Sequence, residues 1–138
     1  MNIRYIDSCE NINWEQVSSL FEAVGWGTRD PNKIKSAFNK SSFVRFAYLD
    51  SELVGVGRTV DDGVFYGWIV DLAVLPEYQG KGVGKKIVCE LEKELCYFVT
   101  TMLTAAPGKS GFYEKLGWHK QCSAYIWPRS EEQKHEFT

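Results

Sequence analysis

A glycine-rich segment in the middle of the chain, residues 79–84 (Gln-Gly-Lys-Gly-Val-Gly), has the residue types that bind phosphate groups. The apolar run 68–75 before it predicts a buried strand, and residues 85–95 repeat apolar side chains at helical spacing. Backbone N–H groups at the start of a helix lack partners, and the helix dipole adds partial positive charge there. Because glycine also lets the backbone approach an anion closely, the segment predicts a site for a phosphorylated ligand.

The glycine spacing distinguishes this loop from two common nucleotide-binding loops. A dinucleotide-binding loop reads Gly-x-Gly-x-x-Gly, whereas this one reads Gly-x-Gly-x-Gly and lies in mid-chain. A Walker loop ends in Gly-Lys-Ser/Thr, but here Lys86 follows Gly84 and Lys85, so no hydroxyl is present for magnesium. Lys81 and either Lys85 or Lys86 can add charge-assisted contacts to the ligand. A nucleotide-binding α/β domain is therefore disfavoured.

The elements that must position this loop follow the order β-α-α-β-β-β-α-β-α-β-β. The first helix can begin at Asn11 or Asn13, and Asp30 with Pro31 marks the start of the second. Gly117 predicts the end of the last helix. The predicted strands are residues 3–6, 43–49, 53–60, 64–75, 100–105, 118–122 and 123–127, and residues 129–138 predict a flexible tail.

Composition excludes several classes of protein. The chain has 138 residues, a net charge of −2 and a pI near 5.7, so neither nucleic acid nor an anionic membrane is indicated as a partner. No apolar run approaches the length of a membrane span, and we expect a soluble, cytoplasmic protein. The four cysteines are widely spaced and there are two histidines, so no metal site is predicted.

The positions of Gln79, Gly82 and Gly84 resemble the acyl-coenzyme A loop of the GNAT N-acetyltransferase superfamily, Gln/Arg-x-x-Gly-x-Gly/Ala. Residues 111–118 resemble the Phe-Tyr-x-x-x-Gly-Phe signature of its final helix, and the predicted element order is that of the GNAT fold. The resemblance covers nearly the whole chain and includes bacterial small-amine acetyltransferases. It implies an α/β (α+β) fold in a single domain, 1–138, with a mixed, mostly antiparallel sheet of about six to seven strands and about four helices.

The resemblance implies acetyl-CoA as cofactor and acetyl transfer to a primary amine of a small molecule by direct attack in a ternary complex. A backbone N–H near Leu72 would polarise the thioester carbonyl. In the family, a tyrosine at the position of Tyr113 protonates the departing thiolate, and a phenol with a pKa of about 10 suits that task. The implied cofactor contacts are Leu72, Ala73, Val74, Gln79, Gly80, Lys81, Gly82, Val83, Gly84, Lys85 and Tyr113.

The general base is left open between Asp71 and water. Asp71 is a lone charge inside an apolar strand, and a buried carboxylate must be paired or functional. It is therefore the best side-chain candidate for the base. The alternative is a structural ion pair, with Arg58 on the neighbouring strand as the expected partner. Where some GNAT enzymes place a glutamate on this strand, the chain has Trp68.

The amine site is expected between the first two helices and the middle strands. Trp26, Tyr66 and Trp68 are the candidate substrate residues, because aromatic faces suit an arylalkylamine or a cationic amine. A homodimer is possible. The alternative function is a non-catalytic acyl-CoA-binding sensor on the same fold.

Overall fold

A five-stranded mixed sheet with strand order β1-β2-β3-β4-β5 organises the first part of the computed structural model, which describes residues 1–138. The chain divides into two compact units, Met1–Leu103 and Thr104–Thr138. The elements of the first unit are β1 (Ile3–Ile6), α1 (Trp14–Ala23), α2 (Pro31–Lys40), β2 (Val44–Leu49), β3 (Glu52–Asp61), β4 (Tyr66–Val74), a 3-10 turn (Pro76–Tyr78), α3 (Val83–Glu94) and β5 (Thr100–Leu103).

Strands β1 to β4 pair with one another in antiparallel fashion, and β5 pairs with β4 in parallel. The predicted α/β fold class is confirmed, although the sheet has five strands rather than six to seven, and the chain has five α-helices. Local sequence explains the helix starts. The side chain of Asn13 accepts hydrogen bonds at the start of α1, and Asp30 caps α2 with Pro31 at its first position, as predicted.

The sheet buries a core on each face. On one face, α1 and α2 pack against β2, β3 and β4, and the buried core residues are Val17, Leu20, Phe21, Ile34, Phe38, Val44, Phe46, Leu53, Val56 and Ala73. On the other face, α3 packs so closely that β3 carries glycines beneath it. A Cβ at Gly57 would lie 2.7 Å from Ile87 and 3.1 Å from Leu91. The helix that follows the glycine loop is thereby held against the middle of the sheet.

A β-bulge interrupts β4 where it pairs with β3. The register shifts between Val56 and Arg58, so Asp71 and Leu72 both stand opposite the single residue Gly57. Asp71 has a φ of +54°, in the left-handed region that few residues other than glycine, asparagine and aspartate enter. The bulge places one extra residue in the strand.

The bulge decides which face of the sheet receives the carboxylate. The side chain of Leu72 lies 3.6 Å from the Cβ position of Gly57, on the face covered by α3. The Asp71 side chain instead meets Arg58, the neighbour of Gly57 on β3, on the face covered by α1 and α2. Regular alternation along β4 would place position 71 on the same face as Gly67, whose Cβ position points at Leu95 beside α3.

The second unit contains α4 (Ser110–Lys115) and α5 (Glu131–Phe137). Gly117, with a φ of +97°, ends α4 as predicted: its N–H donates to Glu114 O and the N–H of Trp118 donates to Tyr113 O, the two bonds of a Schellman motif. The predicted strands at 118–122 and 123–127 do not form.

Residues 131–137, predicted to be part of a flexible tail, form α5. The cause is a Ser-x-x-Gln capping signature: the N–H of Gln133 donates to the Ser130 hydroxyl at 3.0 Å, and the Gln133 side chain accepts from Arg129 N. None of the helices combines the length and the apolar composition that a membrane crossing requires.

Candidate active site

The glycine loop turns sharply into α3 through two residues in the left-handed region. Gly80 has a φ of +75°, and Gly82, the N-cap of α3, has a φ of +89°. No heavy atom lies within 4 Å of the position that a Cβ would take at either glycine. The backbone before α3 therefore faces open space that any other residue would partly fill. An anion placed there meets the unpaired N–H groups of the first turn, beginning at Val83.

The side chains around the loop divide into anchors and exposed cations. Val83 is buried and anchors the start of α3, whereas Lys81 and Lys85 are exposed. The side-chain amide of Gln79 donates to Val74 O at 2.9 Å, so it ties the loop to the last residue of β4. The predicted phosphate-binding residues are therefore brought together at one helix end, with Gln79 as the brace that positions them.

The second half of β4 has a strand partner on one side only. Pairing with β5 ends at Ile69, which lies opposite Leu103, while β3 continues to pair as far as Val74. Leu72, Ala73 and Val74 therefore border a gap in the sheet, directly before the glycine loop. Main-chain groups at such an edge can bind an extended ligand as an additional strand.

Asp71 lies between two arginines. Its Oδ2 accepts from Arg58 Nε at 2.8 Å, and its Oδ1 accepts from Arg29 Nη1 at 3.0 Å. The Asp71 and Arg58 side chains are 14% and 17% exposed, and that of Arg29 is 41% exposed. The expected ion pair with Arg58 is present, and Arg29 is a second partner that sequence reasoning missed. The available signal was the buried carboxylate itself, which required a counter-charge without indicating where along the chain it would come from.

Arg29, Arg58 and Asp71 form a triad of charged side chains. The aromatic rings near this triad already stack against the two arginines. The guanidinium of Arg29 lies 4.7 Å from the centre of the Phe21 ring and 5.7 Å from that of Trp26, and these two rings stack on each other at 5.5 Å. The guanidinium of Arg58 lies 5.6 Å from the Phe38 ring. Trp26, a candidate substrate residue, is half-buried and packs against Arg29.

A cleft of about 350 Å³ opens above the triad, between α1, α2 and the sheet. Its charged lining residues are Arg29, Asp30, Lys33, Arg58 and Asp71. The Ser18 hydroxyl donates to the carbonyl of Arg29 at 2.8 Å and fixes the segment between α1 and α2 that forms one wall. The cleft lies where the sequence placed the amine site, but Trp26, Tyr66 and Trp68 do not line it. Their substrate role stays a prediction.

Tyr113 lies in the second unit, on α4. Its ring meets that of Phe112 edge to face with 5.0 Å between the centres, and the residue is half-buried. Burial raises the pKa of the Tyr113 phenol above its ordinary value, so the group is fully protonated at neutral pH. A protonated phenol of this kind can donate to a departing thiolate as negative charge develops on the sulfur.

Comparisons with known proteins agree on one family. The family model described as "Acetyltransferase (GNAT) domain" matches residues 40–120. The uncharacterized N-acetyltransferase ycf52 of Pyropia yezoensis is 34% identical over 122 residues, which are 84% of this chain and 70% of that protein. GCN5-related N-acetyltransferase 1, chloroplastic, of Arabidopsis thaliana is 32% identical over 113 residues, 79% of this chain and 57% of that protein.

Solved structures agree in fold. A GNAT family acetyltransferase from Streptococcus pneumoniae has a TM-score of 0.79 and 27% identity, covering 94% of this chain and 100% of its own. A probable acetyltransferase from methicillin-resistant Staphylococcus aureus has a TM-score of 0.82 and 22% identity, with the same coverage.

Proposed function

The chain belongs to the GNAT acetyltransferase family, and on that premise we propose that it is an acetyl-CoA-dependent N-acetyltransferase whose acceptor is a primary amine of a small molecule. The observation that carries the proposal is the turn into α3, where two left-handed glycines leave open space in front of the helix N-terminus. The pyrophosphate of coenzyme A has the charge and size that such a site binds.

The residues around the loop fit this cofactor. Gly80 and Gly82 allow the close approach, the first-turn N–H groups of α3 donate to phosphate oxygens, and Lys81 and Lys85 supply positive charge from the solvent side. Acetyl-CoA, when bound, supplies the thioester acetyl group that the amine takes up by direct attack in one ternary complex. The open edge of β4 at Leu72–Val74 suits the amide groups of an extended pantetheine arm.

The bulge in β4 supplies the proposed electrophilic assistance. Because two residues oppose one, the ladder with β3 is interrupted beside Leu72, and the backbone N–H there can turn toward a carbonyl oxygen rather than toward a neighbouring strand. This function needs no side chain. Tyr113 is the proposed general acid, because its phenol is protonated at neutral pH and can neutralise the leaving thiolate.

Two acceptors for the amine proton stay open, Asp71 and water. Both oxygens of the Asp71 carboxylate accept hydrogen bonds from arginines, an arrangement that supports a positioning role for Asp71. We therefore propose water as the first acceptor of the proton, with the base role of Asp71 as the alternative. A cytoplasmic location, a homodimer and a single functional domain over residues 1–138 also stay predictions.

The proposal is tested first by ligand-dependent stabilisation and then by turnover. Acetyl-CoA should raise the melting temperature, whereas NAD and ATP should not, because a ligand that binds only the folded state stabilises it. Thiol release from acetyl-CoA should then depend on an added primary amine. Stabilisation by NAD or ATP alone would refute the cofactor assignment. Binding of acetyl-CoA without thiol release, across amines of every charge class, would favour a non-catalytic acyl-CoA sensor.

A further inference from the structure

The cleft between α1, α2 and the sheet has more positive than negative charge. Arg29, Lys33 and Arg58 are three cations and Asp30 and Asp71 are two carboxylates, so the lining carries a net charge of +1. Both carboxylates already accept hydrogen bonds from groups of the protein. Asp71 accepts from both arginines, and Asp30 accepts from Asn32 N at 2.8 Å as the cap of α2.

The cations retain capacity for a ligand. Arg29 donates to Asp71 through Nη1 alone, is 41% exposed, and is held in place by the rings of Phe21 and Trp26. The side chain of Lys33 is exposed at the cleft and makes neither an ion pair nor a hydrogen bond. A guanidinium with free donors in a planar fork matches a carboxylate or a phosphate, and an ammonium nearby adds charge.

The aromatic faces that would receive a cationic amine are occupied. Arg29 covers Phe21 and approaches Trp26, and Arg58 lies against Phe38. A second cation at these rings would meet like charge at close range, which raises its free energy in a partly desolvated cleft. A ligand with an anionic group gains from the same residues.

We propose that the acceptor amine carries an anionic group, a carboxylate or a phosphate, which binds Arg29 and Lys33 in this cleft. The inference rests on the proposed acetyl transfer and specifies its substrate class. The volume of about 350 Å³ suits a small molecule. Asp71 acts through the arginines: it holds Arg29 and Arg58 in register and leaves the outer donors of Arg29 to the ligand.

The test uses pairs of amines that differ in the anionic group. Phenylalanine is compared with phenylethylamine, and phosphoethanolamine with ethanolamine, so that the two pairs separate carboxylate from phosphate. Calorimetry measures the binding of each amine, and thiol release measures its acetylation. The anionic member of at least one pair should bind about tenfold more tightly or better than its counterpart, and should be the better substrate.

Two lysines on one helix provide a matched comparison. Lys33→Gln should weaken binding of the preferred anionic amine about tenfold and leave binding of the counterpart that lacks the anionic group unchanged. Lys35→Gln, on the same helix but outside the cleft lining, should change neither. Since Lys33 is exposed and unpaired, its replacement should leave the melting temperature unchanged.

Two results would overturn the inference, and they are distinguishable. Equal or better binding and acetylation of the amines that lack the anionic group would refute the anionic acceptor while the acetyltransferase proposal stands. Failure of acetyl-CoA to bind, with no thiol release from any pair, would refute the proposed function and the acceptor class with it.

Discussion

Replacing Gly82 by alanine separates the cofactor role of the glycine loop from its role in folding. At a φ of +89° an alanine is strained by about 1 kcal/mol relative to glycine. No heavy atom lies within 4 Å of the new Cβ, so no steric term is added. The free energy of unfolding should therefore fall by about 1 kcal/mol, which lowers the melting temperature by roughly 3–6 °C for a domain of this size.

The effect on acetyl-CoA should be larger. The new methyl group would occupy the space in front of the α3 N-terminus, where the pyrophosphate is proposed to lie. Displacement that breaks one hydrogen bond to a charged phosphate costs about 1.5–3 kcal/mol, so the dissociation constant should rise by about 10- to 150-fold. Titration calorimetry measures the dissociation constant, and scanning calorimetry measures the melting temperature.

Gly63→Ala is the matched control. Gly63 has a φ of +80°, no heavy atom within 4 Å of its Cβ position, and a place in the turn between β3 and β4. It should reproduce the loss of stability and leave acetyl-CoA affinity unchanged. If Gly82→Ala bound acetyl-CoA within twofold of the unsubstituted protein while showing the same loss of stability, the glycine loop would not be the pyrophosphate site.

Two further substitutions test the proposed chemistry. Tyr113→Phe should lower turnover about 100-fold with acetyl-CoA affinity unchanged, as measured by thiol release and calorimetry, and unchanged turnover would remove Tyr113 from the mechanism. In the unsubstituted protein, the raised pKa of Tyr113 places any loss of activity from its ionisation above about pH 10, which a pH–rate profile checks. Asp71→Asn should lower the free energy of unfolding by about 2 kcal/mol, because the guanidiniums of Arg29 and Arg58 lose the negative partner that they share. Asparagine tolerates the left-handed φ of +54°, so the substitution adds no backbone strain. Urea denaturation measures this loss, and unchanged stability would contradict a structural role for the triad.

The local signals in the sequence were sufficient for most of the first unit. Asp30 with Pro31 marked the start of α2, and the glycine loop marked the start of α3, because capping and turn chemistry act within a few residues. The strand pairs of β2, β3 and β4 followed from short turns between apolar runs. The prediction of terminal strands at 118–127 was wrong, because no ladder of hydrogen bonds forms there.

The position of the cleft was predicted from the sequence, but most of the charged side chains that line it were not. Asp71 and Arg29 are 42 residues apart, and no periodicity in the chain links them. The aromatic residues indicated a wall for a cationic amine, and only tertiary structure shows that Arg29 and Arg58 already cover Phe21, Trp26 and Phe38. Lys33 gave no signal at all, because an exposed lysine on an amphipathic helix is the usual occupant of such a position.

Because β4 contains one extra residue, a deletion in this strand would change the structure of the cleft. Loss of one codon between positions 70 and 73 would restore regular pairing with β3, and a carboxylate placed there would turn from Arg58 toward the α3 face. Such a deletion would remove the ion pairs of the triad and change the lining of the cleft, although every residue of the glycine loop would remain. Homologous chains that keep this loop but lack the extra residue should therefore have a different acceptor specificity.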